Sequence, residues 1–329
     1  MQAINKKNKV FIYLVALSIL VVAFLMDIIL GSSNITLNEV FSNLFNKEND
    51  EIIHTVLWKI RIPKAIVALV AGATLAASGT LIKAVMKNPL ADTGLLGIQS
   101  GATLVAMIII LMMPNLYKWL PIGAFLGGFL VYMLLTLVAF KDGIKPIRLI
   151  LSGIAINGFL ASFISLISIY NSDKIQGALS WLNGSLAGVT MKDAQLILIY
   201  GGLALILSLL LIGKCNLLLL DDVTIINLGE NLSLTRFIVS TVAVLLASVS
   251  VSIVGIISFV GLVIPHIARL IIGQNHKDLL PLSIILGGAF LLIADILQKI
   301  IFSPMEIPIG IVISFVGAPF FLYQLRKQV

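Results

Sequence analysis

Two adjacent carboxylates, Asp221 and Asp222, and a Gly229-Glu230 turn lie in the stretch 214–236, KCNLLLLDDVTIINLGENLSLTR, between two strongly apolar runs. Neighbouring acids on a chain point in different directions, so they do not make the convergent pair that general acid–base chemistry requires. A polar interruption of this size between two membrane-length runs suits contact with a partner. A second group is cationic: Lys59, Arg61 and Lys64 crowd into KIRIPK, a pattern suited to holding carboxylates or to reaching toward lipid headgroups. Asp295 and Lys299 stand at i, i+4 with the acid first, the better order for a helix ion pair and a means of local neutralisation. Asn157, Gly158, Ser162, Ser165 and Ser168 fall within about 140° of one helical face, where serines either join helices or line a wet path. His54, His266 and His276 are scattered without metal-ligand spacing, and one cysteine, Cys215, excludes an intrachain disulfide. The Gly213-Lys214 pair has Ser208 five residues before its glycine and Cys215 after it, so it is not a phosphate-cradling loop. No cofactor and no metal are expected.

The elements that carry these residues follow from composition. Of 329 residues, 59% are hydrophobic and 11% charged, and the mean hydropathy is +1.11. Soluble domains are roughly 45–50% apolar and about 25% charged. The chain is therefore expected to be an all-α polytopic membrane protein, since each helix in lipid must satisfy its own backbone groups. Apolar windows between Gly, Pro and charge breaks place about ten spans near 10–30, 65–85, 94–113, 119–139, 147–169, 193–213, 237–254, 256–272, 281–301 and 307–325. The turn between the seventh and eighth is expected near Gly255, and a break or kink at Pro265. The first run is longer than a signal-peptide core and lacks a small-residue cleavage site, so it reads as a retained span.

Lys and Arg decide the orientation. With the N-terminus inside, the inner side collects Lys6, Lys7 and Lys9, then Lys83, Lys87, Lys141, Lys145, Arg148, Lys214, Arg236, Arg269, Lys277, Arg326 and Lys327. This outnumbers the outer set and favours both termini in the cytoplasm. The net charge of +7 is thus a topology signal, and no nucleic-acid partner is expected. Residues 35–45 suit a short amphipathic outer helix capped by Asn34 or Thr36. Residues 87–97 make a compact inner turn, and Gly72 with Ala76 and Gly123 with Gly127 are spaced for close helix packing. One membrane domain, 1–329, containing the cytoplasmic loop 214–236, accounts for the chain.

Several motifs then occur in order: Arg61-Ile-Pro-Lys64, Gly72-Ala-Thr-Leu-Ala-Ala-Ser-Gly79, Asn88-Pro-Leu-Ala91, Leu96-Gly97 with Ser100-Gly101-Ala102, and Trp181-Leu-Asn-Gly-Ser185. They continue with Phe259-Val-Gly-Leu-Val-Ile-Pro-His266, Ala294-Asp295, Glu306-Ile-Pro-Ile-Gly310 and Gly317-Ala-Pro-Phe320. Together they resemble the FecCD-type permeases, membrane subunits of bacterial ABC importers for iron-siderophores, haem and vitamin B12. The resemblance implies a ten-helix, vitamin B12 permease-like fold in the bacterial cytoplasmic membrane. It also implies a second permease chain, identical or related, with separate ABC ATPase subunits and an extracellular substrate-binding protein. An iron-siderophore is the expected cargo, with haem or vitamin B12 as alternatives. The resemblance assigns Arg61, Lys64 and Lys299 to docking the binding protein, with lysine twice where the family carries arginine. It assigns Asp221, Asp222, Ile225, Leu228 and Gly229 to contact with the ATPase. Asn157, Ser162, Ser165 and Ser168 are the expected path-lining residues, while Lys145-Pro146-Ile147 does not match the family's gate. The rival classes are an ion-coupled secondary transporter, which needs ionisable groups at midplane and related halves, and an intramembrane enzyme, which needs a convergent constellation.

Overall fold

In a computed structural model, the structure describes residues 6–31, 39–40, 42, 51–89, 91–94, 96–139, 146–171, 182–303 and 305–328. The expected outer helix at 35–45, Lys141, Lys145, Lys174 and Trp181 therefore lie outside the described residues, wholly or, for the helix, in most of its length. The described residues contain helices and connections and no strand. In chain order the helices are α1 (Lys6–Ile29), α2 (Glu51–Val56), α3 (Ile62–Met86), α4 (Ile98–Met112), α5 (Leu120–Ala139), α6 (Pro146–Tyr170) and α7 (Met191–Leu210). They continue with α8 (Ile212–Leu217), α9 (Asp222–Asn227), α10 (Leu232–Val254), α11 (Val260–Ile272), α12 (His276–Ile301) and α13 (Ile309–Gln328). Seven helical stretches among the described residues are long and apolar enough to cross a membrane, and three shorter apolar helices, Ile98–Met112, Val260–Ile272 and Ile309–Phe320, accompany them.

The bundle is built around α3, which is buried along nearly its whole length and packs on α12, α10, α7 and α11. Its composition explains this. Lipid offers no hydrophobic gain for bringing helices together, so close backbone approach must supply the attraction, and the approach here is at glycines. A Cβ on Gly72 would lie 2.2 Å from the carbonyl oxygen of Gly287 in α12, and one on Gly79 would lie 2.0 Å from that of Gly261 in α11. The same device joins α4 to α5, where a Cβ on Gly101 would lie 2.7 Å from the Gly127 carbonyl. Ser78 adds a hydrogen bond to the Ala243 carbonyl of α10 at 2.6 Å. By contrast α1 and α6 lie at the periphery, with large apolar side chains such as Phe11, Leu14, Phe159 and Leu166 exposed.

The second span does not begin near 65, as expected, because helix already runs through Lys59–Lys64. A π-helical turn, Leu57–Arg61, joins α2 to α3, with Pro63 in the first helical turn where its missing N–H costs nothing. Nor does the chain break at Pro265, which sits inside α11. The break falls before it: α10 ends at Gly255 with φ 74°, and α11 starts after Phe259 at φ 69°. The turn expected near Gly255 is therefore present, followed by an irregular stretch, 255–258. Irregular backbone in a bundle must be satisfied by protein or water. Here the Gly255 N–H donates to the Val251 carbonyl and the Ser258 carbonyl accepts from the Val260 N–H, each at 2.9 Å, while beside the stretch the Ser185 N–H donates to the Val254 carbonyl that ends α10, at 2.9 Å.

Candidate functional site

Three sites are assembled by this fold. At one end of α3, Arg61, Lys64 and Lys299 line one cavity of about 240 Å³ together with Glu306 and Gln298. The three cations expected to dock a binding protein share this cavity, but they are not an open positive patch. Arg61 and Lys64 are each only 5% exposed. Arg61 donates through Nη1 to the carbonyls of Ile28 at 2.9 Å and Ile29 at 2.6 Å, which places its charge on the C-terminus of α1, where the helix dipole favours a cation. Lys64 Nζ lies 3.4 Å from Asp295 Oδ1 and 3.2 Å from Glu306 Oε1. Lys299 Nζ lies 2.7 Å from Asp27 Oδ1 and 2.8 Å from Asp295 Oδ2, and it also donates to the Asp27 carbonyl at 2.9 Å.

The expected Asp295–Lys299 pair is thus present, inside a larger network of three cations and three carboxylates. Burying charge demands such pairing. Asp27 and Asp295 are wholly buried, whereas the Glu306 side chain is 56% exposed. Asp27 was missed in the sequence. Its signal was available, as the one acid within the first apolar run, where an ionisable residue needs a partner.

At the opposite end of α3, the stretch after α8 turns out a short helix, α9. Asp221 precedes it with extended backbone. Asp222 opens it and ties it down: Oδ1 is 2.8 Å from Lys87 Nζ and 3.0 Å from Arg236 Nη2. Lys87 also donates to the Leu220 carbonyl at 2.5 Å and ends α3 in a left-handed conformation, φ 48°. The Lys87 hydrogen bond, against the opposing effect of burial and with Arg236 adding to it, holds the Asp222 carboxyl below the usual carboxylate range. Gly229 ends the turn at φ 81°, a backbone that a side chain would strain, and its N–H donates to Ile226 O at 2.9 Å.

The two named apolar contacts part company. Ile225 is fully buried and anchors α9 in the core, while Leu228 is 61% exposed. Val223 and Ile226, which the sequence reasoning did not single out, are 69% and 59% exposed. The outward apolar surface is therefore Val223, Ile226 and Leu228. Cys215, close by in α8, is buried, which pushes its thiol up to about 12 and leaves it unreactive.

The third site is a cavity of about 410 Å³ at the irregular stretch, lined by Asn183, Ile256, Ser258, Gly310, Ser314 and Phe315 among others. None of Asn157, Ser162, Ser165 and Ser168 lines it. Asn157 faces the start of α4 instead, accepting from Ser100 Oγ at 2.6 Å and donating to the Gly94 carbonyl at 3.1 Å. Ser162 and Ser165 are exposed on the outer side of α6, where Ser162 bonds back to its own helix at Gly158 O, 3.0 Å away. Neighbouring serines on one nominal face thus meet different surroundings. No group of three or more His, Cys, Asp or Glu residues suited to a metal is found among the described residues.

Comparison with known proteins places this arrangement. The model of the FecCD transport family matches residues 19–327. The "Probable heme-iron transport system permease protein IsdF" of Staphylococcus aureus is 33% identical over 326 residues, covering 98% of each chain. The "Fe(3+)-citrate import system permease protein YfmE" of Bacillus subtilis is 37% identical over 325 residues, covering 98% of this chain and 97% of the relative. Among solved structures, an inward-facing ABC transporter assigned to the metal-chelate type superposes with a TM-score of 0.82 at 28% identity, covering 98% of this chain and all of that one. PsaBC from Streptococcus pneumoniae shares the fold, with a TM-score of 0.60 at 19% identity over 88% of this chain and 95% of that one.

Proposed function

This chain belongs to the FecCD transport family, and from that premise we propose that it is the membrane permease of a bacterial ABC importer carrying an iron-siderophore or related ferric chelate across the cytoplasmic membrane. The two named relatives support an iron cargo, since their names specify haem iron and ferric citrate. In this reading all ten apolar helices cross the bilayer, both termini are cytoplasmic, and the protein acts with a second permease chain, ABC ATPase subunits and an extracellular binding protein. The transport work is done by the ATPase, so this chain is a conduit and not an enzyme.

The single observation that carries the reading is α9. Three large apolar side chains, Val223, Ile226 and Leu228, stand out from a helix whose inward face and ion pairs hold it rigidly against the end of the central helix. Exposed apolar clusters rimmed by charge mark partner contacts. Asp222 and Lys87 would pass a push on α9 directly to α3, and α3 reaches the three-cation cavity at its other end, where carboxylates of the binding protein would dock near Arg61, Lys64 and Lys299. The path would run through the cavity at Ser258 and Ser314, between the broken α10–α11 connection and α13. Ser162, Ser165 and Ser168, with the open face of α6, would meet the second permease chain or the path it encloses.

The test is co-purification with the co-expressed ATPase. A double change, Ile226→Glu with Leu228→Arg, should abolish association and stimulated ATP hydrolysis while the permease remains folded and monodisperse. Undiminished association would remove α9 from the interface and, with it, the proposed orientation. A wild-type pair that associates is then reconstituted with binding protein and assayed for uptake of radiolabelled ferric siderophore against haem.

A further inference from the structure

The end of the bundle that carries Lys87 also holds a small cavity of about 50 Å³ between α3, α11 and α12. Its polar lining is Thr80, Lys83, His266, Arg269, Gln274 and His276, and no carboxylate lines it. Lys83 donates to the Leu262 carbonyl at 2.6 Å. Neither Lys83 nor Arg269 takes part in an ion pair among the described residues. Asp92, the acid whose field reaches Lys83, is buried in its own turn, where it accepts from the Gly94 N–H at 3.3 Å. The Arg61, Lys64 and Lys299 cluster, by contrast, is matched by carboxylates. Here two basic side chains, Lys83 and Arg269, line a void that no carboxylate lines.

The size of the void selects the occupant. One water needs about 10–15 Å³ in this measure, so the cavity takes a group of a few heavy atoms, such as a tetrahedral oxyanion, and excludes a nucleotide or a metal chelate. A guanidinium and an ammonium on the wall of one void suit phosphate, which offers several acceptor oxygens at once. Beside Arg269, Leu270 and Ile271 are 59% and 40% exposed, an apolar strip that opens the neighbourhood to acyl chains. Basic pockets between membrane helices on the cytoplasmic side are suited to anionic headgroups.

We propose that this pocket is a phosphate-binding site, held by Lys83 and Arg269, that takes the headgroup phosphate of an anionic phospholipid or free inorganic phosphate. Bound there, the phosphate bridges the end of the central helix to the end of α11, the helix that follows the irregular stretch at the transport cavity. The inference rests on the orientation proposed above only for which leaflet supplies the lipid.

The test uses the purified full-length chain in nanodiscs and is independent of ATPase, binding protein and cargo. Melting temperature is measured in phosphatidylcholine alone, with phosphatidylglycerol added, and with millimolar phosphate added to phosphatidylcholine. Saturating anion should raise it by on the order of 5 °C. A rise with phosphatidylglycerol alone identifies a lipid headgroup, and a rise with phosphate identifies the free ion. Arg269→Gln should abolish the rise. Because Lys83 is half-buried and tied to the Leu262 carbonyl, so that its loss would disturb folding, Arg269 is the primary variant and Lys83→Arg, which keeps the charge, should retain it. Lys277→Gln, which removes an exposed cation close by, should also retain it. The proposal is overturned if neither anion raises the wild-type value, if Arg269→Gln keeps the full rise, or if Lys277→Gln loses as much as Arg269→Gln.

Discussion

At the residue scale, Asp222 is the side chain on which the proposed coupling surface turns, because one carboxylate accepts from both Lys87 at the end of α3 and Arg236 at the start of α10. Its folded pKa is depressed, so its contribution is fully present above the unfolded value of about 3.9 and fades as pH falls through the lower folded value. The strap is therefore intact at neutral pH. The Asp222 side chain is 45% exposed, so solvent screening limits the stability at stake to about 1 kcal/mol or less. Asp222→Asn is accordingly expected to leave melting nearly unchanged but to slacken the link from α9 to α3, lowering uptake per ATP hydrolysed several-fold in proteoliposomes. An unchanged uptake-to-hydrolysis ratio would show that force reaches the bundle by another route.

Elements are held by backbone proximity more than by side-chain bulk. Gly79 and Gly261 bring α3 and α11 together so closely that any Cβ at Gly79 meets a carbonyl 2.0 Å away. Gly79→Leu must separate these two helices, and overpacking of this kind costs about 1–3 kcal/mol or more. The expected outcome is loss of monodisperse protein on size exclusion in detergent. Gly202→Ala in α7, where a Cβ would meet nothing within 4 Å, should be neutral or stabilise the helix by up to about 1 kcal/mol. Equal yields for the two variants would mean that the α3–α11 contact does not organise the bundle. The Gly72–Ala76 and Gly123–Gly127 spacings were legible as packing motifs. Their partners were not, because spacing along one helix carries no information about which distant helix it meets.

For the whole molecule, the irregular stretch 255–258, the chain near Asn183 and the start of α13 enclose the largest of the cavities described, and Ser314 lines it. Alternating access requires this wall to face one side of the membrane in one state and the other side in the next. The one native cysteine is buried and its thiol is pushed up to about 12, so a single introduced cysteine reports without background. In the assembled importer, Ser314→Cys is expected to react with a membrane-impermeant maleimide from one side without nucleotide and from the other with a non-hydrolysable ATP analogue. Reaction that is the same in both states would place the moving path elsewhere.

The sequence by itself determined what depends on composition and short spacing. The apolar excess required a helical membrane protein, the i, i+4 order of Asp295 and Lys299 set their ion pair, the ordered motifs pointed to the family, and Gly255 marked a break between two helices. Tertiary structure decided everything that requires knowing which elements are neighbours. It turned Ile225 inward and left Val223 and Ile226 outward, although all three are β-branched residues within one helical turn. It brought Asp27 from the first helix to Lys299 in the twelfth, converting a row of cations into a charge-balanced network that is buried at Asp27 and Asp295. It carried α11 through Pro265 and put the irregular backbone before it, between Gly255 and Phe259, where the flanking turns of α10 and α11 take the Gly255 N–H and the Ser258 carbonyl. The physical reason is the same in each case: burial and pairing are properties of a residue's surroundings, and those surroundings come from parts of the chain far away in sequence.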